Sequence, residues 1–304
     1  MRLAGLFAAF GLLAGCTNAP PDGWNYTVYY LGGQSNMDGF GLVSELPEGL
    51  EEKVAQVPIF HGSPASDGED GGGQGIWQPL KGGHGSGYDL EGQENRYSDK
   101  FGPEIAFAAR LIEANPDQKI AIVKYSLGGT ALVHGASGYG SWDPAFSEGN
   151  RRNQYDNALT TIDGALQRQD IDGDGAPDTL VPGGIVWMQG ESDAAHTEET
   201  ATSYRANLAR IMGYLRAALR TDGLPVVIGK IKDSGDTPGT RVMAYSPLVQ
   251  EQQAEFVAAD PCAALVTVTE QFNEMPDKWH YVTADYLTLG EAFADAMLSL
   301  RKRC

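Results

Sequence analysis

The sequence predicts an α/β fold, a mainly parallel five-stranded sheet held between layers of helices, and three observations carry that prediction. Short apolar runs alternate with longer stretches of helical periodicity. Runs such as Ile185-Val186-Trp187-Met188 are apolar throughout, as strands covered on both faces are. Most of the runs are β-branched or aromatic and are bounded by Gly, Pro or Asp.

Taken in order, Tyr26 to Leu31 is an aromatic and β-branched run that stops at Gly32-Gly33, and it reads as the first strand. Pro103 to Ala114 has helical spacing and leads to a second strand at Lys119 to Tyr125. A helix at Asn153 to Gln167 precedes the third strand, Gly184 to Met188, and one at Glu199 to Arg220 precedes the fourth, Pro225 to Ile231. The helix Ser246 to Ala258, the strand Ala264 to Val268 and the helix Ala284 to Leu300 complete the alternation, which implies parallel crossovers. One stretch breaks the rhythm. From His61 to Lys100 the chain is crowded with Gly, Asp and Ser, and so long an insertion is expected to be a binding loop or a flexible cover. Trp77 and Tyr97 within it are the candidate platforms for a sugar face.

The first sixteen residues stand apart from this domain. Arg2, the apolar stretch Leu3 to Ala14 and the sequence Leu13-Ala14-Gly15-Cys16 form an export signal too short to span a bilayer. It resembles the lipobox of bacterial lipoproteins, which implies a lipid on Cys16, a tether at residues 17–22 and a domain over residues 23–304. Thr17 in place of Asp would direct a Gram-negative lipoprotein to the outer membrane. The net charge of -18, from 22 Lys and Arg against 40 Asp and Glu, excludes nucleic acid and an anionic membrane surface as partners, so any membrane contact is through the lipid alone. Cys262 and Cys304 remain as an even pair, either bridged in an oxidising compartment or left as two buried thiols.

A serine in Gly33-Gln34-Ser35-Asn36 stands where the first strand should end, the edge at which open α/β sheets present their ligand crevice. Such a serine needs a base and the base an orienting acid. Of the histidines, His61 and His84 lie in the insertion and His134 in another Gly-rich loop, whereas His280 follows Asp277 by three residues on one turn. That spacing lets the carboxylate reach Nδ1 and leaves Nε2 for a hydroxyl. Acyl transfer also needs donors for the oxyanion. Ser126-Leu127-Gly128-Gly129-Thr130 and Gln189-Gly190-Glu191-Ser192-Asp193 follow the second and third strands and offer glycine amides and a side-chain amide.

Together with Phe101-Gly102-Pro103-Glu104, these motifs resemble, in order, those of the SGNH hydrolase superfamily, more narrowly its sialate O-acetylesterase and carbohydrate esterase family six branch. The resemblance runs from about Tyr26 to Ala296 and implies a flavodoxin-like three-layer α/β/α sandwich that removes O-acetyl groups from carbohydrates without a cofactor in the reaction. Residue by residue it implies Ser35 as nucleophile, His280 as base, and an oxyanion hole from Ser35, Gly128 or Gly129, and Gln189, which stands where the wider superfamily has Asn. Asp277 is the expected acid on local geometry, with Glu191 as the alternative that the branch also uses.

Asp170-Ile171-Asp172-Gly173-Asp174-Gly175-Ala176-Pro177-Asp178 places acids at positions one, three, five and nine of an EF-hand-like loop, with Gly at six. Position twelve is Val181 and not the bidentate Glu. A structural Ca2+ held by Asp170, Asp172, Asp174 and Asp178, with one more acid from outside the loop, is the expectation.

Overall fold

Eight of the nine residues of β1 (Asn25–Gly33) are buried, which places this strand in the middle of the sheet and covered on both faces. The computed structural model describes residues 23–304 apart from Asp236, so the export signal, Cys16 and the tether lie outside the described residues. Downstream come α1 (Ser35–Asp38), β2 (Gly41–Leu42), α2 (Leu50–Val54), β3 (Pro58–His61), β4 (Trp77–Pro79), β5 (Asp89–Glu91), β6 (Glu94–Arg96) and β7 (Lys100–Phe101). They are followed by α3 (Glu104–Ala114), β8 (Ile120–Ser126), α4 (Gln154–Gln167), β9 (Thr179–Met188), α5 (Glu191–His196) and α6 (Glu198–Ala218). The chain closes with β10 (Val226–Gly229), α7 (Ser246–Ala259), β11 (Ala263–Val266) and α8 (Thr283–Leu300).

The main sheet runs β11-β10-β9-β1-β8-β3-β4, parallel throughout except for β4, which lies antiparallel to β3 at the edge. It therefore has seven strands where the sequence predicts five. β3 escapes because it is four residues long and begins with Pro58, too short to show a period. β9 begins at Thr179, ahead of its apolar run, because its first four residues alternate between exposed and half-buried. Helices α3 and α8 pack together on one face, and α4, α6 and α7 form the opposite layer, giving the three-layer α/β/α sandwich. Asn153 starts α4 with a capping box, its side chain accepting from the amides of Tyr155 and Asp156 while Asp156 bonds back to the Asn153 amide.

The Gly-rich insertion is built, not loose. It holds the edge strand β4, the hairpin β5–β6 and β7, which pairs with β2. His61 and His84 are buried with their Nδ1 atoms 3.1 Å apart, and Tyr88 stacks on His61 at 3.9 Å. Burial holds both imidazoles below their ordinary range, so they pack as neutral rings. Beneath them the fully buried Lys124 ammonium donates to Glu104 Oε2 at 2.8 Å and to the carbonyls of Asp38 and His84. Removing one member of such a buried pair leaves an uncompensated charge, at a cost of about 3–5 kcal/mol. A disulfide between Cys262 and Cys304, with Cα atoms 5.8 Å apart, ties the chain end after α8 to the start of β11. Closing its 42-residue separation is worth about 4 kcal/mol in the chain-entropy account. Among the described residues no helix is long and apolar enough to cross a membrane.

Candidate active site

The carboxyl ends of β1, β8 and β9 sit side by side, and the chain leaves the sheet in opposite directions around β1, the place where a crevice opens. Gly33 ends β1 at φ +147°, and a Cβ there would stand 2.0 Å from the Met188 carbonyl oxygen, so only glycine lets β1 pass the end of β9. Gln34 N donates to that same carbonyl at 2.9 Å and turns the chain into α1. Ser35 is the first residue of this single turn, nearly buried, with an amide that has no intrahelical partner. The exit from β8 runs alongside, so that a Cβ on Gly128 would lie 3.4 Å from Ser35 Cβ. Among the described residues no acceptor takes the Gly128 or Gly129 amide. Ser35, Gly128 and Gly129 line one cavity, so their backbone N–H groups lie on its wall.

His280 faces Ser35 across a cavity of about 690 Å³ that both residues line. Its Nδ1 lies 2.7 Å from Asp277 Oδ2, while Asp277 Oδ1 accepts from the amides of Trp279 and His280 at 2.8 and 3.1 Å. Lys278, between them, takes φ +67°, a left-handed conformation that closes the turn tightly enough for one carboxylate to collect all three donors. Burial alone would push the Asp277 carboxyl up, but these hydrogen bonds outweigh it and hold the group below its ordinary value. Phe40 stacks on the imidazole with ring centroids 3.6 Å apart and planes 10° from parallel, fixing its plane. Among the described residues no hydrogen bond joins Ser35 Oγ to His280; such contacts commonly tighten only when substrate binds.

Glu191 is the second carboxylate of the site and has different surroundings. It is 1 % exposed, its Oε1 accepts from Asn36 Nδ2 at 2.7 Å, and its Oε2 has no partner. Burial raises its carboxyl above the ordinary range against the lowering effect of Asn36. It makes no hydrogen bond to His280, so the expectation that it orients the imidazole directly is not met by the geometry. Asn36, to which the sequence reading assigns no role, is the connector. Its Nδ2 also donates to the Trp279 carbonyl at 3.1 Å, and its Oδ1 accepts from Tyr286 Oη at 2.8 Å. One side chain thus joins the Ser35 turn, Glu191 and the histidine loop.

Gln189 is placed differently from the expectation. Its Nε2 donates to Asp193 Oδ2 at 2.6 Å, the Thr130 carbonyl at 3.2 Å and Gln34 Oε1 at 3.3 Å, so both hydrogens serve the buried frame and none faces the cavity. Gln34 lines the cavity instead. Its Oε1 is held by Gly190 N, Ser192 N and Gln189 Nε2, and among the described residues no acceptor takes its Nε2. The Gln189–Gln34 pair works as a relay that the motif spacing alone does not reveal. The buried Asp193 beneath it has its carboxyl pushed up to about 7 by burial, as has Asp38 at the end of α1.

Neither sugar platform expected in the insertion reaches this cavity. Trp77 belongs to β4, where it packs edge-on against Phe60 and donates Nε1 to the Ala165 carbonyl, so the sheet edge claims it. Tyr97 lies against His84, with Lys81 Nζ 3.8 Å from its ring centre. The acidic loop is remote from the site. Asp170, Asp172 and Asp174 bring carboxylate oxygens within 4.8 Å of one another, but Asp178 spends Oδ1 on Trp24 N and Oδ2 on Ile171 N. The expected set of four is therefore three, and Asp178 anchors the loop base.

The sequence matches the family described as carbohydrate esterase, sialic acid-specific acetylesterase, over residues 25–299. The chain belongs to that family. It is an esterase. A solved protein from Arabidopsis thaliana shares 21 % identity and a TM-score of 0.61, over 92 % of this chain and 99 % of that one. XAC1771, a carbohydrate acetylesterase from Xanthomonas citri, shares 18 % identity and a TM-score of 0.59, over 90 % of this chain and 56 % of its own. NanS shares 17 % identity and a TM-score of 0.54, over 93 % and 99 %. At these identities the likeness speaks for the fold. Among curated proteins none matches.

Proposed function

We propose that this esterase removes O-acetyl groups from carbohydrates through an acetyl-enzyme on Ser35. The observation that carries the reading is the shared cavity of Ser35 and the Asp277–His280 pair, bordered by the unpartnered Gly128 and Gly129 amides. Ser35 Oγ attacks the acetyl carbonyl carbon while His280 Nε2 takes its proton, and Asp277 holds the ring and the charge that forms on it. The negative oxygen is met by the amides of Ser35, Gly128 and Gly129, with Gln34 Nε2 in the role expected of Gln189. His280 then gives its proton to the departing sugar oxygen. Water, deprotonated by the same nitrogen, attacks the acetyl-serine, and acetate leaves as Ser35 is reprotonated. Acetate release from acetylated oligosaccharides and acetylated sialic acid tests this, with Ser35→Ala expected to lose about 10³-fold or more in kcat. Undiminished turnover in that variant overturns the mechanism.

Two further parts belong to the same reading. The protein is exported and anchored by a lipid on Cys16, which mass spectrometry of the membrane fraction would detect as an acylated N-terminal peptide. A structural Ca2+ sits on Asp170, Asp172 and Asp174, supported by the convergence of their carboxylates and by Tyr26 Oη, which donates to Asp172 Oδ2 and links the loop to β1. Chelation should then lower the melting temperature, and an unchanged melting curve would remove the cation.

A further inference from the structure

The Ser35 cavity does not end at the serine. A second cleft of about 620 Å³ adjoins it, and the two share Gly128, Ser137, Gly138 and Tyr139 as a common wall. Tyr139 is 72 % exposed and stands on that wall. Gly129 packs against the base of its ring, where a Cβ would lie 2.6 Å from Cδ2, and its amide is held by Ser137 Oγ at 3.0 Å. The loop that carries it is firmly seated. Ser141 N and Gln154 Nε2 both donate to Asp67 at 2.8 and 2.7 Å, and the buried Trp142 donates Nε1 to Thr130 Oγ1 at 2.9 Å. An exposed aromatic ring on so firmly seated a loop is a stacking platform with little ordering entropy left to lose.

The charges along the two clefts are as informative as their shape. Among the described residues no Lys or Arg lines either of them, whereas Asp67 and Glu148 border the second, where Glu148 Oε1 also lies 3.1 Å from His134 Nε2. A sugar bearing a carboxylate would find no guanidinium or ammonium partner here and would lie against like charge, in a chain of net charge -18. Hydroxyl groups of a neutral sugar, by contrast, donate well to carboxylates.

We propose that the substrate is a neutral, O-acetylated oligosaccharide of at least two residues, lying across Tyr139 with its acetylated residue at Ser35 and its neighbour in the second cleft. This rests on the acetylesterase reading above. It is tested by steady-state kinetics on acetylated xylotetraose and cellotetraose, their acetylated monosaccharides, 9-O-acetylated N-acetylneuraminic acid and p-nitrophenyl acetate. Wild type should favour a tetrasaccharide over both single-sugar classes by about tenfold in kcat/KM, the order of one stacking contact. Tyr139→Ala should lose about tenfold more on that tetrasaccharide than on p-nitrophenyl acetate, through KM, and Tyr139→Phe should restore it. Phe146→Ala, altered only in the second cleft, should narrow the same preference, and circular dichroism checks that each variant is folded. Equal rates on single sugars and tetrasaccharides, a preference for the acetylated sialic acid, or a Tyr139→Ala loss equal on all substrates would overturn the inference and leave the acetylesterase reading standing. Hydrolysis of p-nitrophenyl acetate alone would overturn both.

Discussion

Two carboxylates lie near His280, and they are opposites. Asp277 is on an exposed turn three residues away, takes three hydrogen bonds and is held in its charged form. Glu191 is buried, comes from the end of a different strand, has one donor and an oxygen with none, and burial favours its neutral form. What separates them is the number of donors, not proximity in the motif. In the proposed mechanism the acid must stabilise a transient imidazolium and so needs its charge, and of the two Asp277 has the partners to keep one. Glu191 positions residues: it fixes Asn36, and Asn36 fixes the carbonyl of Trp279, next to the histidine.

The sharpest way to break this comparison is Asp277→Asn. It keeps the shape but removes the charge and is expected to lower kcat by about 10³–10⁴, measured as acetate release. Glu191→Gln preserves an acceptor for Asn36 and should cost about tenfold or less, since conservative replacement leaves the relay in place; equal losses in the two variants would erase the distinction. The smallest effect is on stability against pH, and the two groups should act in opposite directions. Asp277, depressed on folding, contributes stability above its unfolded value near 3.8 that is lost as pH falls through its lower folded value. Glu191, raised on folding, contributes at low pH and loses that contribution as pH rises from its unfolded value near 4.5 through its higher folded value. Melting curves should therefore show Asp277→Asn flattening the acid side of the profile and Glu191→Gln the neutral side. The acid-side change should be the weaker of the two, because Asp277 is partly solvent-screened.

The same contrast explains what was legible in the sequence. The Asp277–His280 turn is local, so spacing alone describes it, and the apolar runs of β1, β8, β9 and β10 declare themselves because each is buried along most of its length, while β11 does so through its apolar composition. β3 and β4 are too short to carry a period, and their partner in the sheet is what makes them strands. Trp77 and Tyr97 looked like binding residues because loop composition suggests exposure, yet the sheet edge claims one and the His84 cluster the other. Gln189 and Glu191 sit in the right motif for the site but reach it only through Gln34 and Asn36. Tyr139 has no motif at all.

The sequence by itself determined the alternation of the five longer strands with the main helices, the serine at the end of β1, the aspartate–histidine turn and the glycines that follow β8. Each of these depends on residues within a few positions of one another, where chain geometry leaves little choice. Tertiary structure alone decided which amide faces the cavity, which carboxylate stays charged, and that a second cleft continues beyond Tyr139. Those outcomes depend on burial and on donors supplied from more than a hundred residues away, such as the contact between Asn36 and Glu191, and no local pattern records them.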